Sequence, residues 1–290
     1  MSIKRKLVRI ETPKPQPGFL GPDHTARAVI TGGFSNSDPF ILMMDDYLDK
    51  KDNAPVGGAH PHAGFETVSL LLEGEVGDAA HIMKGGDFQI MTAGSGIVHT
   101  ETIDKAATMR LLQLWVNLPK KDRLATPRVQ DLPSKHAPTL NEGGVQIKLY
   151  SGSLAGLTSP VQNHVPMVIA DVTIEPGVTT VLDIPANFNT FLYVLDGSVV
   201  VGEDENRLNK YQVGWLDIAT DDAASELKLT AGKDGVRFAV YSGKPTGDPI
   251  VSHGPFIADS SDDIRRFYNK YRQGKMKHIS TVPEGQRLWW

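Results

Sequence analysis

The stretch AHPHAGFETVSL places His60 and His62 one residue apart, just before an apolar run that predicts a buried strand. In an extended chain, side chains at i and i+2 project from the same face, so both imidazoles can converge on one point. Further along, GSGIVHTE supplies a second such pair, His99 and Glu101. If both strands present their pairs inward, three imidazoles and one carboxylate meet. These donors suit Fe, Mn, Ni, Cu or Zn, and a single carboxylate with room for exchangeable ligands favours non-haem Fe(II).

Chance histidine pairs have to be weighed, because the chain contains nine histidines. A histidine pair on a surface strand commonly has no function, and spacing alone leaves this interpretation open. A metal site is favoured because both pairs adjoin apolar strand patterns and can combine. The other histidines lack a partner at this spacing and are predicted to be surface or hydrogen-bonded core residues: His24, His81, His136, His164, His253 and His278.

Short apolar runs separated by frequent turn residues dominate the chain, which has 28 glycines and 19 prolines. Many short strands at close spacing predict an all-β fold, an antiparallel barrel or sandwich. A length of 290 residues is sufficient for two domains with separate cores. The polar, proline-bearing stretch around 120–138 predicts the junction, so we expect domains at 1–135 and 136–290.

A helix is predicted near the end of the chain, over SSDDIRRFYNKYRQG. Serine and aspartate at its start, basic residues at its end and Gly274 after it are typical of helix termini. Its apolar side chains Ile264, Phe267, Tyr268 and Tyr271 form one stripe, which we expect to pack on a barrel.

A weak internal repeat indicates two copies of one unit. The pairs Glu73-Gly74 and Asp196-Gly197 follow similar apolar runs. Superposing these pairs aligns His60 with Asp183, His62 with Pro185 and Glu66 with Asn189. The second copy has no imidazole at these positions, and proline has no ligand atom, so we expect no metal there.

Composition restricts the classes of function. The absence of cysteine excludes disulfides, thiolate ligands and cysteine nucleophiles. A net charge of -4 gives no electrostatic footprint for nucleic acid or an anionic membrane surface. The N-terminal MSIKRKLVRI is not followed by the apolar segment of a signal peptide, and no window has the length of a membrane span. These features favour a cytoplasmic protein that binds neither nucleic acid nor membrane, although a cysteine-free periplasmic protein would have a similar sequence.

Four segments together resemble the pirin family of the cupin superfamily: DPFILMMDDYL, GGAHPHAGFETVSLLLEG, GGDFQIMTAGSGIVHTE and VSHGPFIADSSDDI. They occur in the family's order over residues 38–264. The resemblance implies a bicupin, two antiparallel β-barrel (jelly-roll) domains face to face with a short C-terminal helix, and metal in the N-terminal domain only. It also implies that the metal is iron and that its ligands are His60, His62, His99 and Glu101.

The resemblance implies two different functions. Members of the family are associated with quercetin 2,3-dioxygenase activity, which opens a flavonol with O2 and releases carbon monoxide. This implies a small aromatic, flavonol-like substrate that meets O2 at the metal. Mammalian members are also discussed as iron-dependent nuclear co-regulators. The alternative is therefore a non-enzymatic, metal- and redox-responsive regulator that binds a protein partner through the same site residues.

A second carboxylate competes for the role of ligand. In other cupins the carboxylate ligand comes from an HxHxxxE motif, and that spacing exists here from His62 to Glu66. Four residues of extended chain span about 13 Å, so Glu66 could reach the metal only if the chain bends at Gly64. Glu101 needs no bend and is expected to be the ligand, with Glu66 beside the site or in contact with substrate. Either carboxylate could act as the base for a flavonol hydroxyl.

Overall fold

The computed structural model of the protein describes residues 2–32, 34–78, 81–220 and 223–290. Strands dominate, and the all-β prediction is confirmed. In chain order the strands are β1 (Ile3–Lys4), β2 (Leu7–Glu11), β3 (Pro15–Pro17), β4 (His24–Ile30), β5 (Phe40–Lys50), β6 (Val56–His62), β7 (Phe65–Glu73), β8 (Glu75–Asp78), β9 (His81–Lys84), β10 (Phe88–Thr92), β11 (Ile97–Ile103), β12 (Ala107–Asn117), β13 (Arg128–Leu132), β14 (Thr139–Glu142), β15 (Val145–Ser151), β16 (Ser153–Leu154), β17 (Leu157–Thr158), β18 (Met167–Ile174), β19 (Thr179–Leu182), β20 (Asn189–Val201), β21 (Asn206–Asn209), β22 (Val213–Leu216), β23 (Ser225–Gly243), β24 (Val251–His253), β25 (Phe256–Ala258), β26 (Lys277–His278) and β27 (Arg287–Trp289).

Helical structure is sparse in the described residues. The α-helices are α1 (Phe34–Ser37) and α2 (Ser261–Arg272). Single 3-10 turns cover Lys120–Asp122, Ser134–His136, Ile279–Thr281 and Glu284–Gln286. No helix in the described part of the chain has the length and apolar character needed to cross a membrane.

The elements divide into two compact units. One consists of Lys14–His136 and Thr246–Trp290, and we call it the site unit because it contains all four predicted ligands. The other consists of Ala137–Pro245 together with the N-terminal segment that ends at Pro13, and we call it the companion unit. Each unit has its own sheets.

The two ends of the chain therefore belong to units other than those expected from domains at 1–135 and 136–290. The N-terminal strands pair inside the companion unit, β1 with β23 and β2 with β22. The C-terminal segment pairs inside the site unit, where β26 adds to β11 and β27 adds to β13. Each unit is formed by pairing between strands from distant segments of the chain. A single boundary at one polar stretch therefore cannot separate the two units.

In the site unit, one sheet has eight strands in the order β27-β13-β10-β7-β12-β5-β4-β3, and a second has the order β26-β11-β6. The central strand β7 is buried along most of its length because it has a neighbour on each side and a packed core. Along β11 burial alternates, so alternate residues of this strand face the interior.

In the companion unit, one sheet follows the path β14-β15-β18-β23-β20-β22-β2, with β1 and β19 also paired to β23 and β21 to β20. Its inward side chains form one buried apolar cluster that includes Leu149, Val172, Leu192 and Val240. In neither unit does a hydrogen-bonded path close the sheet into a ring among the described residues. The mainly antiparallel strands are thus as expected, but hydrogen bonds between described strands do not join the two edges of either sheet into a closed barrel.

The predicted repeat corresponds to a shared local structure. Gly74 and Gly197 both have a positive φ, 85° and 72°. A Cβ on either glycine would lie 2.1 Å from a backbone carbonyl oxygen of the paired strand. Both lie beside a register shift in that pairing. A residue without a side chain is therefore required at the same kind of β-bulge in each unit.

The helix α2 packs its apolar stripe inside the site unit, largely as predicted. The hydroxyl of Ser260 accepts a hydrogen bond from a backbone N–H of the first turn, which caps the helix. Ile264 and Phe267 are buried, and Tyr268 packs beside them. Tyr271 remains 39% exposed, so the buried stripe ends before it and that part of the prediction is wrong.

Arg123 ties the C-terminal segment to the rest of the site unit. Its side chain is almost fully buried and donates hydrogen bonds to the carbonyl oxygen of Gly64 (3.0 Å) and to the amide oxygen of Asn117. It also donates to the carbonyl oxygen of Pro249 (3.0 Å) and forms an ion pair with Asp259 (3.0 Å). One guanidinium thus joins both segments of the unit.

We expect Arg123→Ala to lower the free energy of unfolding of the site unit by about 3 kcal/mol, because the buried acceptors and Asp259 lose their partner together. Urea denaturation followed by tryptophan fluorescence measures this loss. The matched control is Arg265→Ala, whose ion pair with Asp262 is largely exposed and should contribute little. Equal losses in the two variants would contradict the assignment.

Candidate metal centre

Pairing of β6 with β11 brings the predicted ligands together. The two strands are antiparallel, and His60 lies directly opposite His99. His62 and Glu101 each lie two residues along their own strand from this pair. Because side chains two residues apart share a face, all four project to the same side of the ribbon.

The three imidazoles form a compact group that could hold a metal ion. One ring nitrogen from each of His60, His62 and His99 lies within 4.8 Å of the others. The Nε2 atoms of His60 and His99 are 2.8 Å apart. Histidine nitrogens at this spacing can surround one ion after small rotations of the rings.

Glu101 lies at the edge of this group. Its Oε2 is 3.8 Å from Nε2 of His60, and its Oε1 is 3.9 Å from Nδ1 of His99. Oε1 also accepts a hydrogen bond from Nε2 of Gln113 (3.1 Å). An amide that holds the carboxylate in this way fixes its orientation, as is usual around metal ligands. The assignment of Glu101 as the fourth ligand stays a prediction.

Glu66 has a different environment. The chain does bend at Gly64, where φ is 85° and a Cβ would lie 1.7 Å from the carbonyl oxygen of Ile257. After the bend, Glu66 is fully buried on β7, opposite Thr92. Its Oε1 accepts a hydrogen bond from the Thr92 hydroxyl (2.6 Å). Glu66 is thus tied to the neighbouring strand β10 through one carboxylate oxygen, and the bend it would need to approach the metal is present. Its position beside the site or in contact with substrate stays a prediction.

Burial favours the neutral form of two of the imidazoles, His62 and His99. Desolvation, with the neighbouring rings of His99 and His60, lowers the pKa of His62 to about 2. Desolvation also lowers the pKa of His99 to about 4, while the carboxylate of Glu101 acts in the opposite direction. Neutral imidazole is the form that donates a lone pair to a metal. Three imidazoles grouped beside one carboxylate form a donor set that fits Fe(II) or a similar divalent ion.

A cavity inside the site unit borders this group. With its mouth it holds about 1110 Å³ of unfilled space, and His99 and Glu101 are part of its wall. Apolar lining includes Ile103, Met109 and Leu111. Glu66 is not among the described residues that line it. The sequence did not indicate the polar lining, which includes His24, Asp46, Ser69, Gln89, Gln113 and Asp131.

The histidines outside the pairs are mostly hydrogen-bonded, as predicted. Nδ1 of His24 accepts a hydrogen bond from the backbone N–H of Leu20 (3.1 Å), and its Nε2 contacts Asp46 (2.9 Å). Partners of the remaining rings are Trp290 for His136, Tyr268 for His253, and Thr100 and Ser280 for His278, and His164 also has a partner. The side chain of His81 lies outside the described part of the chain.

The positions aligned with the ligands in the companion unit have other surroundings. Asp183 follows β19 and Asn189 begins β20. The carbonyl oxygen of Pro185 accepts a hydrogen bond from the buried Arg5 (2.9 Å). That this unit binds no metal stays a prediction.

Comparison with known proteins places this geometry in a family. The pirin family model matches residues 23–116, and the model of the pirin C-terminal cupin domain matches residues 169–277. Pirin of Mus musculus is 34% identical over 264 residues, which cover 88% of this chain and 86% of that protein. Pirin-like protein 2 of Arabidopsis thaliana is 32% identical over 261 residues, covering 86% and 80%.

A solved structure agrees over nearly the whole chain. The quercetin 2,3-dioxygenase of Acinetobacter baumannii has a TM-score of 0.80 at 26% identity, covering 94% of this chain and 98% of that one. Both units consist of mainly antiparallel sheets, and the second half of the chain matches a cupin domain. Together these features define a bicupin. Within that class, the chain belongs to the pirin family, as the four sequence segments indicated.

We expect the wild type to bind roughly one divalent ion per chain and His62→Ala to lose most of it, because removal of one imidazole opens the group. Metal analysis of purified, dialysed protein measures the difference. His164→Ala, in the companion unit, is the matched control and should retain the ion. Full metal content in His62→Ala would show that the ligands lie elsewhere.

Proposed function

We propose that the protein is an iron-dependent dioxygenase that opens a flavonol such as quercetin with O2. The observation that carries the proposal is the group of three imidazoles beside Glu101 at the wall of a cavity. The likeness to a quercetin 2,3-dioxygenase at 26% identity supports the same activity. The fit of the donor set to Fe(II) supports iron, with Mn, Ni, Cu or Zn as the other candidates.

The residues of the site have separate tasks in this reaction. His60, His62, His99 and Glu101 would hold the ion, which when bound supplies Lewis acidity and one-electron chemistry. Glu101 borders the cavity and lies beside His60 and His99, so of the two glutamates it is the one positioned to accept the proton of a flavonol 3-hydroxyl. Gln113 donates a hydrogen bond to Glu101 and keeps its oxygen directed to the site. Apolar walls limit the water that reaches the reacting groups.

Aerobic turnover of quercetin by protein of known iron content tests this function. We expect quercetin and O2 to be consumed together and carbon monoxide to be released in proportion. Protein stripped of metal by a chelator is the control, and activity should return when iron is added back. If iron-replete protein turns over no flavonol, the dioxygenase function is wrong.

A metal- and redox-responsive regulator is the second candidate. The side chain of His60 is 36% exposed, so one face of the histidine group is open to solvent. A change in the ion could therefore alter a surface that a protein partner contacts. In this function the metal content is retained and quercetin turnover is absent, so the same assay separates the two candidates.

We expect Glu101→Gln to lower both bound iron and quercetin turnover, because the charge of the ion is then less compensated. Glu66→Gln should retain its iron, with turnover lowered by at most about 10–100-fold, as is typical for groups that do not bind the metal directly. Iron content and quercetin loss are measured on both variants, each of which is the other's control. An empty site in Glu66→Gln with full iron in Glu101→Gln would reverse the ligand assignment.

A further inference from the structure

Four polar side chains form a continuous row across the sheet that walls the cavity. Gln113 on β12 lies opposite Ser69 on β7, and Ser69 lies opposite Gln89 on β10. Gln89 in turn lies opposite Asp131 on β13. All four residues line the cavity. At the spacing of neighbouring strands, the row extends over roughly 14 Å. We call it the polar row.

The positions on either side of the polar row are mostly apolar. Leu111 and Leu71 are paired on one side, and both belong to a buried apolar cluster. On the other side, Met91 is paired with Val129 in another buried cluster. Polar groups on an interior face are costly unless they have hydrogen-bond partners. A row of polar side chains confined between apolar positions indicates that the cavity binds a ligand with polar groups along one edge.

Each amide of the polar row is oriented by a carboxylate. Nε2 of Gln113 donates to Oε1 of Glu101 (3.1 Å), and Nε2 of Gln89 donates to Oδ1 of Asp131 (2.7 Å). Ser69 lies between the two glutamines in the order of the strands. With one N–H of each amide held in this way, the amide carbonyl remains the acceptor that a ligand hydroxyl can use. One end of the row is also next to the candidate metal group.

We propose that the polar row is the subsite that binds the ring hydroxyls of a planar, polyhydroxylated aromatic substrate, with Ser69 and Gln89 as the specificity-determining residues. The inference rests on the proposed function, because it assigns the cavity to the substrate of the same site. Asp131 is a positioning residue that holds the amide of Gln89. A ligand whose hydroxyls lie along one edge matches a row of acceptors on a flat wall, with its reacting end towards Glu101.

Binding can be measured without turnover. Iron-loaded protein is titrated under anaerobic conditions with quercetin and with 3-hydroxyflavone, which has the same ring skeleton but none of the other ring hydroxyls. We expect the wild type to bind quercetin at least about tenfold more tightly, since two net hydrogen bonds are worth this much. Gln89→Leu and Ser69→Ala should each reduce the preference about threefold, because each removes one of the two hydrogen bonds, and the double variant should bring it near unity. Affinity for 3-hydroxyflavone should change little in both variants.

The matched control is Gln146→Leu, the same substitution at an exposed position of the companion unit, which should keep the wild-type preference. Retained affinity for 3-hydroxyflavone shows that a variant is folded. The inference is overturned if the wild type binds both flavonols equally, or if both variants keep the wild-type preference for quercetin. In either case, quercetin turnover by the wild type would leave the proposed function intact. If the wild type binds neither flavonol, the inference is overturned and the absence of turnover overturns the proposed function as well.

Discussion

The antiparallel register between β6 and β11 is the constraint on which the candidate centre depends. His60 opposite His99 is one rung of this ladder, and the other two predicted ligands follow from it by the two-residue period. A slip of one residue would turn half of the set to the opposite face. The bend at Gly64 and the anchoring by Arg123 both lie where β6 passes into β7. These contacts fix the end of β6, and the register between β6 and β11 follows from the position of that end.

Local pattern was sufficient to predict that each pair, His60 with His62 and His99 with Glu101, lies on one face of a strand, because an i, i+2 relation needs no knowledge of partners. The strand class and the capped helix followed for the same reason, whereas the β-bulges at Gly74 and Gly197 became visible only in the strand pairing. Glu66 shows the limit of this reasoning. The bend at Gly64 on which its approach to the metal depends is present, and its carboxylate also accepts a hydrogen bond from Thr92 on β10. Only the pairing of strands distant in sequence reveals that contact.

The division into units and the polar lining of the cavity depend on such distant pairings as well. No feature of the sequence near either terminus indicates that β1 pairs with β23 in the companion unit or that β27 pairs with β13 in the site unit. Gln113, Ser69, Gln89 and Asp131 come from four segments, and each is an unremarkable polar residue in its own strand. Their relation exists only once β12, β7, β10 and β13 are neighbours. Spacing within one segment cannot encode it.

The interleaved order of the units has a consequence for biosynthesis. The site unit begins with Lys14, is interrupted by the companion unit and is completed by the segment after Thr246. During translation the chain emerges from its N-terminus, so β6 and β11 are made long before β26 and α2. A nascent chain therefore carries the histidines with an incomplete apolar shell. The companion unit, whose last strand emerges earlier, can finish folding first.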